Sequence, residues 1–127
     1  MSKKYKKDKP SETRMVKMVF PNQTNHYSTL FAGEALSMMD LTAFITGSRY
    51  TRKMLVTASS EKIDFKVPIK HGQLAEFIGR IVKAGTTSIT VEVEMYGEDL
   101  LSGKRQLSAR GNFILVAIDK KGKPVKV

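Results

Sequence analysis

The sequence predicts an α+β domain in which one long buried helix is wrapped by a curved antiparallel sheet of about five strands. The helix is indicated by residues 34–45, of which eight of twelve are apolar. A helix that is apolar on nearly all sides is normally enclosed by the rest of its protein. The sheet is indicated by four consecutive strand-like segments after the helix, because short connections join antiparallel neighbours. A fifth strand-like segment precedes the helix.

The elements before residue 54 are a strand, a turn and the helix. Residues 13–20, TRMVKMVF, are typical of a strand, and the proline and asparagines of PNQTN after them favour a turn. Gly33 precedes the predicted helix, which we expect to run to about Tyr50.

The strands after the helix are predicted at residues 54–67, 74–85, 86–96 and 106–119. In the first of them, Ile63, Phe65 and Val67 alternate with polar residues, and the third has apolar residues at positions 89, 91, 93 and 95. The last strand contains four consecutive apolar residues at 113–116. This run predicts burial on both faces, which one small domain cannot easily supply, so we expect a dimer at least and a hexamer as the favoured assembly.

Composition places the chain among globular proteins with one domain. We assign the domain to residues 13–119, between a basic disordered tail (1–12) and a basic C-terminal tail (120–127). The net charge is +10, and segments 1–9 and 119–127 carry seven of these charges, which is typical of solvated tails. The chain has no cysteine and only two histidines, so it favours neither thiolate chemistry nor a metal site. Without a signal sequence, we expect a cytoplasmic protein.

Asp40 is the first candidate for chemistry, because an ionised carboxylate within an apolar helix is costly unless it is paired, hydrogen-bonded or hydrated. Two interpretations are open. The carboxylate is structural, either paired with a base such as Arg49 or Arg52 or placed at the solvent-facing edge of the helix, or it faces a hydrated cleft and performs chemistry. His26, fourteen residues earlier, is the second candidate, since histidine exchanges protons near neutral pH.

Two further segments have features of a binding site. FAGEAL places Gly33 at a helix start, where free backbone N–H groups favour negative charge, including a developing oxyanion. KAGTTS supplies a lysine, a glycine and three hydroxyls between two strands, although such residues are also common in turns. The sequence contains no phosphate-binding loop and no G-x-G-x-x-G motif, so nothing in it indicates a nucleotide-binding fold of those classes.

Taken in order, four stretches resemble the hotdog-fold acyl-coenzyme A (acyl-CoA) thioesterases: PNQTNHYSTLFAGEALSMMD, VTASSEKIDFKVPIKHGQ, VKAGTTSITVEVEM and FILVAIDKKGKP. The resemblance spans roughly residues 13–124 and is closest to the cytosolic acyl-CoA hydrolases, including the bacterial YciA-like enzymes. It implies the hotdog fold, in which an antiparallel sheet wraps a long helix. It also implies dimers with a continuous sheet, often assembled into hexamers, with active sites at the dimer interface.

The resemblance also implies roles for particular residues. Asp40 would be the catalytic carboxylate, acting as base or nucleophile on the thioester, and the backbone N–H near Gly33 would polarise the thioester carbonyl. Asn25 matches the asparagine of the family's loop before the helix. The strand joint that lies near bound coenzyme A is matched by Lys83, Gly85, Thr86, Thr87 and Ser88. Coenzyme A enters as part of the substrate, and no metal or other cofactor is implied.

Two alternatives stay open at this point. Hydroxyacyl dehydratases and hydratases with the same fold use a histidine before the helix and an acid on it, and His26 and Asp40 have a similar separation. The segments MMD and KAGTTS favour the thioesterase. The second alternative is a non-enzymatic module that senses acyl-CoA or binds nucleic acid through its lysines. A nucleic-acid partner is disfavoured because no DNA-binding element is recognisable.

Overall fold

Five strands form a single antiparallel sheet, and one long helix packs against it. A computed structural model describes residues 9–127, so most of the predicted N-terminal tail lies outside the described residues. The elements are β1 (Glu12–Met18), α1 (Ala32–Thr51), β2 (Met54–Phe65), β3 (Leu74–Ala84), β4 (Ser88–Glu98) and β5 (Arg105–Ile118), with a short 3₁₀ turn at Pro21–Gln23. Within residues 9–127, no helix combines the length and apolar character needed to cross a bilayer.

The strands lie in the order β1-β3-β4-β5-β2, and every neighbouring pair is antiparallel. β3, β4 and β5 therefore form the middle of the sheet, while β1 and β2 are its edges. The helix lies between β1 and β2 in the sequence and contacts all five strands. This arrangement confirms the predicted fold, a long helix against an antiparallel sheet of five strands.

The core forms where α1 meets the middle strands. Met39 and Ala43 of the helix are completely buried, as are Val91, Val93 and Leu115 of the sheet. The period of two predicted for β4 is confirmed, because positions 89, 91, 93 and 95 all face this core. Two buried helix hydroxyls are satisfied within the helix itself, since each threonine at positions 42 and 46 donates to the carbonyl four residues earlier at 2.7 Å.

β2 departs from the simple alternation that its sequence predicts. Its pairing with β5 shifts register twice, between Thr57 and Ser59 and between Glu61 and Asp64. Such irregularities interrupt the side-to-side alternation of a strand. Ile63 packs against the core, but Phe65 and Val67 are 50% and 39% exposed, so the alternation predicted for this segment places only Ile63 in the core.

The last residues of the chain lie against the sheet. Val125 donates its backbone N–H to the Ala117 carbonyl at 2.8 Å, and Val127 donates to the Thr86 carbonyl at 3.0 Å. Both valine side chains pack against the core. The end of the segment predicted as a basic tail is therefore held beside β5 and the β3–β4 turn.

The sheet face that points away from α1 carries glutamates and arginines. Glu94 lies between the core residues Val93 and Met95, so its side chain points to this outer face. Its carboxylate accepts hydrogen bonds from Arg80 at 2.9 Å and from Arg110 at 3.0 Å. Burial alone would raise the pKa of Glu94, but the hydrogen bonds from these two arginines outweigh burial, and the pKa lies below its ordinary value.

Candidate active site

Asp40 lies on the side of α1 that borders the edge strand β2. It is half-buried, and its Oδ1 accepts a hydrogen bond from the Thr57 hydroxyl of β2 at 2.8 Å. No ion pair to Asp40 is found among residues 9–127. Arg49, one of its suggested partners, instead donates to the Thr13 hydroxyl at 2.9 Å. The interpretation of Asp40 as half of a structural ion pair is therefore wrong for the described part of the chain.

The neighbours of Asp40 explain how an apolar helix accommodates a carboxylate. Met39 and Ala43 face the sheet and are fully buried, whereas Leu41 and Phe44 are more than 40% exposed. Asp40 therefore lies at the boundary between the buried and exposed sides of α1. A carboxylate at this boundary retains contact with water and gains a hydroxyl donor, so it avoids the cost of burial in the core.

The start of α1 leaves backbone donors available. Phe31 precedes the helix in an extended conformation, and no side chain caps this end within the described residues. The first intrahelical bond is donated by Ala35 to the Phe31 carbonyl at 3.0 Å, so the N–H of Gly33 has no intrahelical acceptor. A Cβ at Gly33 would lie 3.0 Å from the Phe31 ring. Glycine thus leaves an accessible N–H beside that ring.

Asn25 holds the loop that leads into the helix. Its Oδ1 accepts hydrogen bonds from the backbone N–H of Tyr27 at 2.9 Å and from the N–H and hydroxyl of Thr29, both at 3.2 Å. Because the oxygen is occupied by three donors, the Nδ2 group is the part of this side chain that can bind something else. His26, in the same loop, is exposed, and its ring lies 3.9 Å from that of Tyr27.

A cavity of about 260 Å³ opens beside the helix start. Asn25 and Ala32 line it on the helix side, and Met95 and Ser108 line it on the sheet side. The remaining lining residues are Thr29, Leu30, Ala35, Phe65, Lys66, Val67, Pro68 and Ile69. Of the residues predicted for catalysis, Asn25 therefore lines this cavity and Asp40 does not.

The five residues predicted to bind coenzyme A divide into two groups. Lys83, Gly85 and Ser88 line a cleft of about 470 Å³ together with residues of β2 and β5. Thr86 and Thr87 do not line it. The Thr86 carbonyl accepts a hydrogen bond from the backbone N–H of residue 127 at 3.0 Å and so joins the turn to the C-terminal segment, whereas the Thr87 carbonyl accepts one from the N–H of residue 117 in β5 at 2.9 Å.

Thr57 and Ser108 were not singled out in the sequence. Thr57 lies seventeen residues beyond Asp40, and no local pattern marks it as the partner of that carboxylate. Ser108 follows a surface loop and looks like an ordinary strand residue. Among residues 9–127, histidine and acidic side chains form no group of three or more that could hold a metal ion.

The sequence profile of the thioesterase superfamily matches residues 27–104. An uncharacterized acyl-CoA thioester hydrolase of Bacillus subtilis, YkhA, is 38% identical over 118 residues, which cover 91% of this chain and 69% of the relative. The acyl-CoA thioester hydrolase YciA of Salmonella typhimurium is 32% identical over 110 residues, covering 84% of this chain and 83% of the relative.

Solved structures with a similar fold include the acyl-CoA hydrolase of Staphylococcus aureus in complex with butyryl coenzyme A, coenzyme A and coenzyme A disulfide. It has a TM-score of 0.88 and 35% identity and covers 93% of this chain and 72% of its own. Three single mutants of that enzyme have also been solved, in which alanine replaces a threonine, an aspartate or an asparagine. The spacing of these three positions equals that of Thr57, Asp40 and Asn25 in this chain. A hexameric acyl-CoA thioesterase has a TM-score of 0.90 and 35% identity, covering 93% of this chain and 76% of its own.

Proposed function

This chain belongs to the thioesterase superfamily, and we propose that it is an acyl-CoA thioester hydrolase in which Asp40 is the catalytic carboxylate. The observation that carries the proposal is the setting of Asp40. Its carboxylate is oriented by the Thr57 hydroxyl at 2.8 Å, borders the exposed side of α1 and has no neutralising cation among residues 9–127. A positioned carboxylate that remains free to accept a proton or attack a carbonyl is what thioester hydrolysis needs.

Two chemical routes are consistent with this carboxylate. As a base, Asp40 takes a proton from water while the water oxygen attacks the thioester carbon, and the resulting tetrahedral oxyanion collapses with loss of the coenzyme A thiolate. As a nucleophile, Asp40 attacks the carbon itself, the C–S bond breaks with loss of the coenzyme A thiolate, and water then cleaves the resulting acyl-Asp40 anhydride. In both routes the products are a carboxylic acid and free coenzyme A. Departure of a thiolate needs no strong acid, because thiols ionise close to neutral pH.

The oxyanion of either route requires a hydrogen-bond donor, and we assign this role to the N–H of Gly33. The donor has to lie about 3 Å from the oxyanion, and the attacking atom about 3 Å from the carbon. Gly33 and Asp40 are seven residues apart on one helix, which is two turns or roughly 10 Å along its axis. One helix therefore cannot supply both groups to a single thioester. The complete site combines Asp40 of one protomer with Gly33 of its partner.

Exposed apolar residues beside Asp40 provide the surface for such a partner. β2 is an edge strand, and Met54 and Val56 on it are exposed, as are Leu41 and Phe44 on the adjacent helix. An edge strand flanked by exposed apolar side chains favours pairing with another chain. Pairing through β2 would place the partner directly beside Thr57 and Asp40. We propose a dimer of this kind, further assembled into a hexamer like the similar thioesterase.

The cleft at the β3–β4 turn is the proposed site for the nucleotide part of coenzyme A. Lys83 can provide a positive charge for a phosphate. The backbone of Gly85 and the hydroxyl of Ser88 line the same cleft and can provide hydrogen bonds. A lysine at the end of a strand is a point charge on a flexible stem, which suits a phosphate without fixing its orientation. This assignment separates nucleotide binding from the chemistry at Asp40.

The test of the proposed function is the hydrolysis of a panel of acyl-CoAs by wild type and two variants, measured as free thiol. We expect Asp40→Asn to lower kcat by about 10²–10⁴-fold, the usual contribution of a positioned acid or base, while the fold and assembly persist. The amide keeps the volume and can still accept the Thr57 hydrogen bond. His26→Ala is the matched control and should cost much less, since a dehydratase would depend on that histidine. An active, folded Asp40→Asn variant would refute the mechanism.

A further inference from the structure

Ser108 carries a buried hydroxyl with no hydrogen-bond partner among residues 9–127. The residue is 1% exposed, and its Oγ is the one buried side-chain polar atom in the described part of the chain that lacks a partner. Buried hydroxyls are nearly always satisfied, because leaving one unpaired costs more than a typical hydrogen bond contributes. The buried hydroxyls of Thr42 and Thr46 in α1 follow this rule, since both donate to backbone carbonyls. Ser108 is the exception.

Ser108 lies at a β-bulge in β5, which sets the direction of its hydroxyl. Met95 pairs with Ala109 and Tyr96 pairs with Leu107, so Ser108 is the extra residue of β5 between two successive pairs. Bulges redirect a side chain and are common beside active sites. The Ser108 carbonyl remains occupied, since it accepts the Lys66 N–H at 2.7 Å. At this irregularity the Ser108 carbonyl therefore has a partner, whereas the side-chain hydroxyl has none among residues 9–127.

The space around the hydroxyl is kept open by its neighbours. A Cβ at Gly97 would lie 3.3 Å from Ser108 Oγ. Ser108 borders the 260 Å³ cavity at the helix start and, on its other side, a more polar cavity of about 230 Å³. In the first cavity, the adjacent side chains of Ile69 and Met95 offer no strong donor or acceptor.

Under the proposed function, the first cavity is the place for the acyl chain. Its lining includes Ala32, the immediate neighbour of the Gly33 N–H that would hold the thioester oxygen. Its volume of about 260 Å³ corresponds to about nine water-sized groups of roughly 30 Å³ each, which is the size of a short acyl chain. An acyl chain that enters beside Ala32 runs toward Ser108 on the sheet side of the cavity.

We propose that Ser108 determines acyl specificity by hydrogen-bonding an oxygen atom on the acyl chain. This inference rests on the proposed function and narrows its substrate class to hydroxyacyl- or oxoacyl-CoAs, which are preferred over saturated acyl-CoAs of equal length. A serine hydroxyl both donates and accepts, so it can bind either kind of oxygen. A saturated chain in the same cavity leaves the hydroxyl unpaired, and a site with an unpaired polar group discriminates against such a substrate.

The experiment compares kcat/KM for hexanoyl-CoA with the values for its 3-hydroxy, 5-hydroxy and 6-hydroxy derivatives. It uses the full-length wild type, Ser108→Ala and Thr46→Val. We expect wild type to favour at least one hydroxylated substrate over hexanoyl-CoA. Ser108→Ala should reduce that preference by about five- to tenfold, the effect of one neutral buried hydrogen bond. Thr46→Val removes a buried hydroxyl that does not line the cavity, with little change in volume, and should leave the preference unchanged.

The possible outcomes separate the inference from the function on which it rests. If no acyl-CoA is hydrolysed, both are refuted. If the panel is hydrolysed but Ser108→Ala changes all four substrates equally, the serine is structural or serves the polar cavity, and the specificity proposal alone is refuted. A wild type that prefers hexanoyl-CoA over every hydroxylated derivative would refute it as well. Thermal unfolding curves of both variants show whether each protein is folded at the assay temperature.

Discussion

Two variants that are each inactive should restore activity to one another when they share a dimer. The first is Asp40→Asn, which removes the carboxylate. The second is Gly33→Pro, which removes the backbone N–H assigned to the oxyanion. Proline is tolerated in the first turn of a helix, and the N–H that it removes has no intrahelical acceptor. Gly33→Ala is the control, because it adds a Cβ near the Phe31 ring but keeps the N–H.

The expected recovery follows from the distance between the two groups. Gly33 and Asp40 are seven positions apart on the helix, or roughly 10 Å, so each active site of the proposed dimer would take one group from each protomer. A mixed dimer then has one site with both defects and one intact site. Random pairing of equal amounts makes about half of the dimers mixed, so the mixture should have about a quarter of wild-type activity. Each variant alone should retain less than about 1%, given the usual cost of losing a base or an oxyanion donor.

The measurement is free-thiol release by the co-expressed variants, with each variant alone and Gly33→Ala assayed at the same total concentration. Sedimentation shows whether every sample has the same oligomeric state. If mixed dimers are present but the mixture is no more active than either variant alone, both groups act within one protomer. The proposal that the Gly33 N–H of one protomer stabilises the oxyanion formed by the partner's Asp40 would then be wrong.

Three further predictions concern the support of the site and of the sheet. Thr57→Val should leave the fold intact and lower kcat by about tenfold in the free-thiol assay, because the carboxylate of Asp40 loses the hydrogen bond that orients it; a change in KM alone would contradict this role. Glu94→Gln should lower the free energy of unfolding by about 1 kcal/mol at pH 7 in urea titrations. The pKa of Glu94 is depressed in the folded state, so its stabilisation is present above about pH 4.5 and is lost as the pH falls through the folded pKa, and the variant should show a flatter decline there. Gly79→Ala should destabilise the protein by about 1–3 kcal/mol, because the new Cβ would collide with the Thr46 hydroxyl where α1 crosses β3, and adding Thr46→Ala should recover part of the loss.

The elements of the fold could be predicted from the sequence because each has a local signal. The predicted helix begins two residues after the observed start at Ala32 and ends one residue before the observed end at Thr51. The period of two in β4 identified its buried face correctly. The strand order has no such signal, because pairing between β2 and β5 depends on contacts between residues such as Met54 and Ile118. β2 was also the strand where the predicted orientation partly failed, since its register shifts are responses to its partner.

The candidate site could be predicted only in part, for a similar reason. Asp40 was identifiable because a carboxylate within an apolar helix conflicts with its surroundings. Thr57 gave no local conflict, since a threonine in a strand is ordinary, and its contact with Asp40 exists only once β2 is in place. The role of Thr86 in joining the β3–β4 turn to residue 127 was hidden in the same way. Residues that act through a distant partner are not visible in local patterns.

The position of β2 in the sheet also sets a time order during synthesis. β2 is made early but pairs with β5, so Met54 has no strand to join until residue 118 has been added. At about 5–20 residues per second, Met54 waits roughly 3 to 13 seconds for its partner residue, in addition to the time the ribosomal tunnel adds. During this interval the surface that would join two protomers is not yet formed. A nascent chain that lacks residue 118 therefore has no complete β2 edge through which the proposed dimer could form.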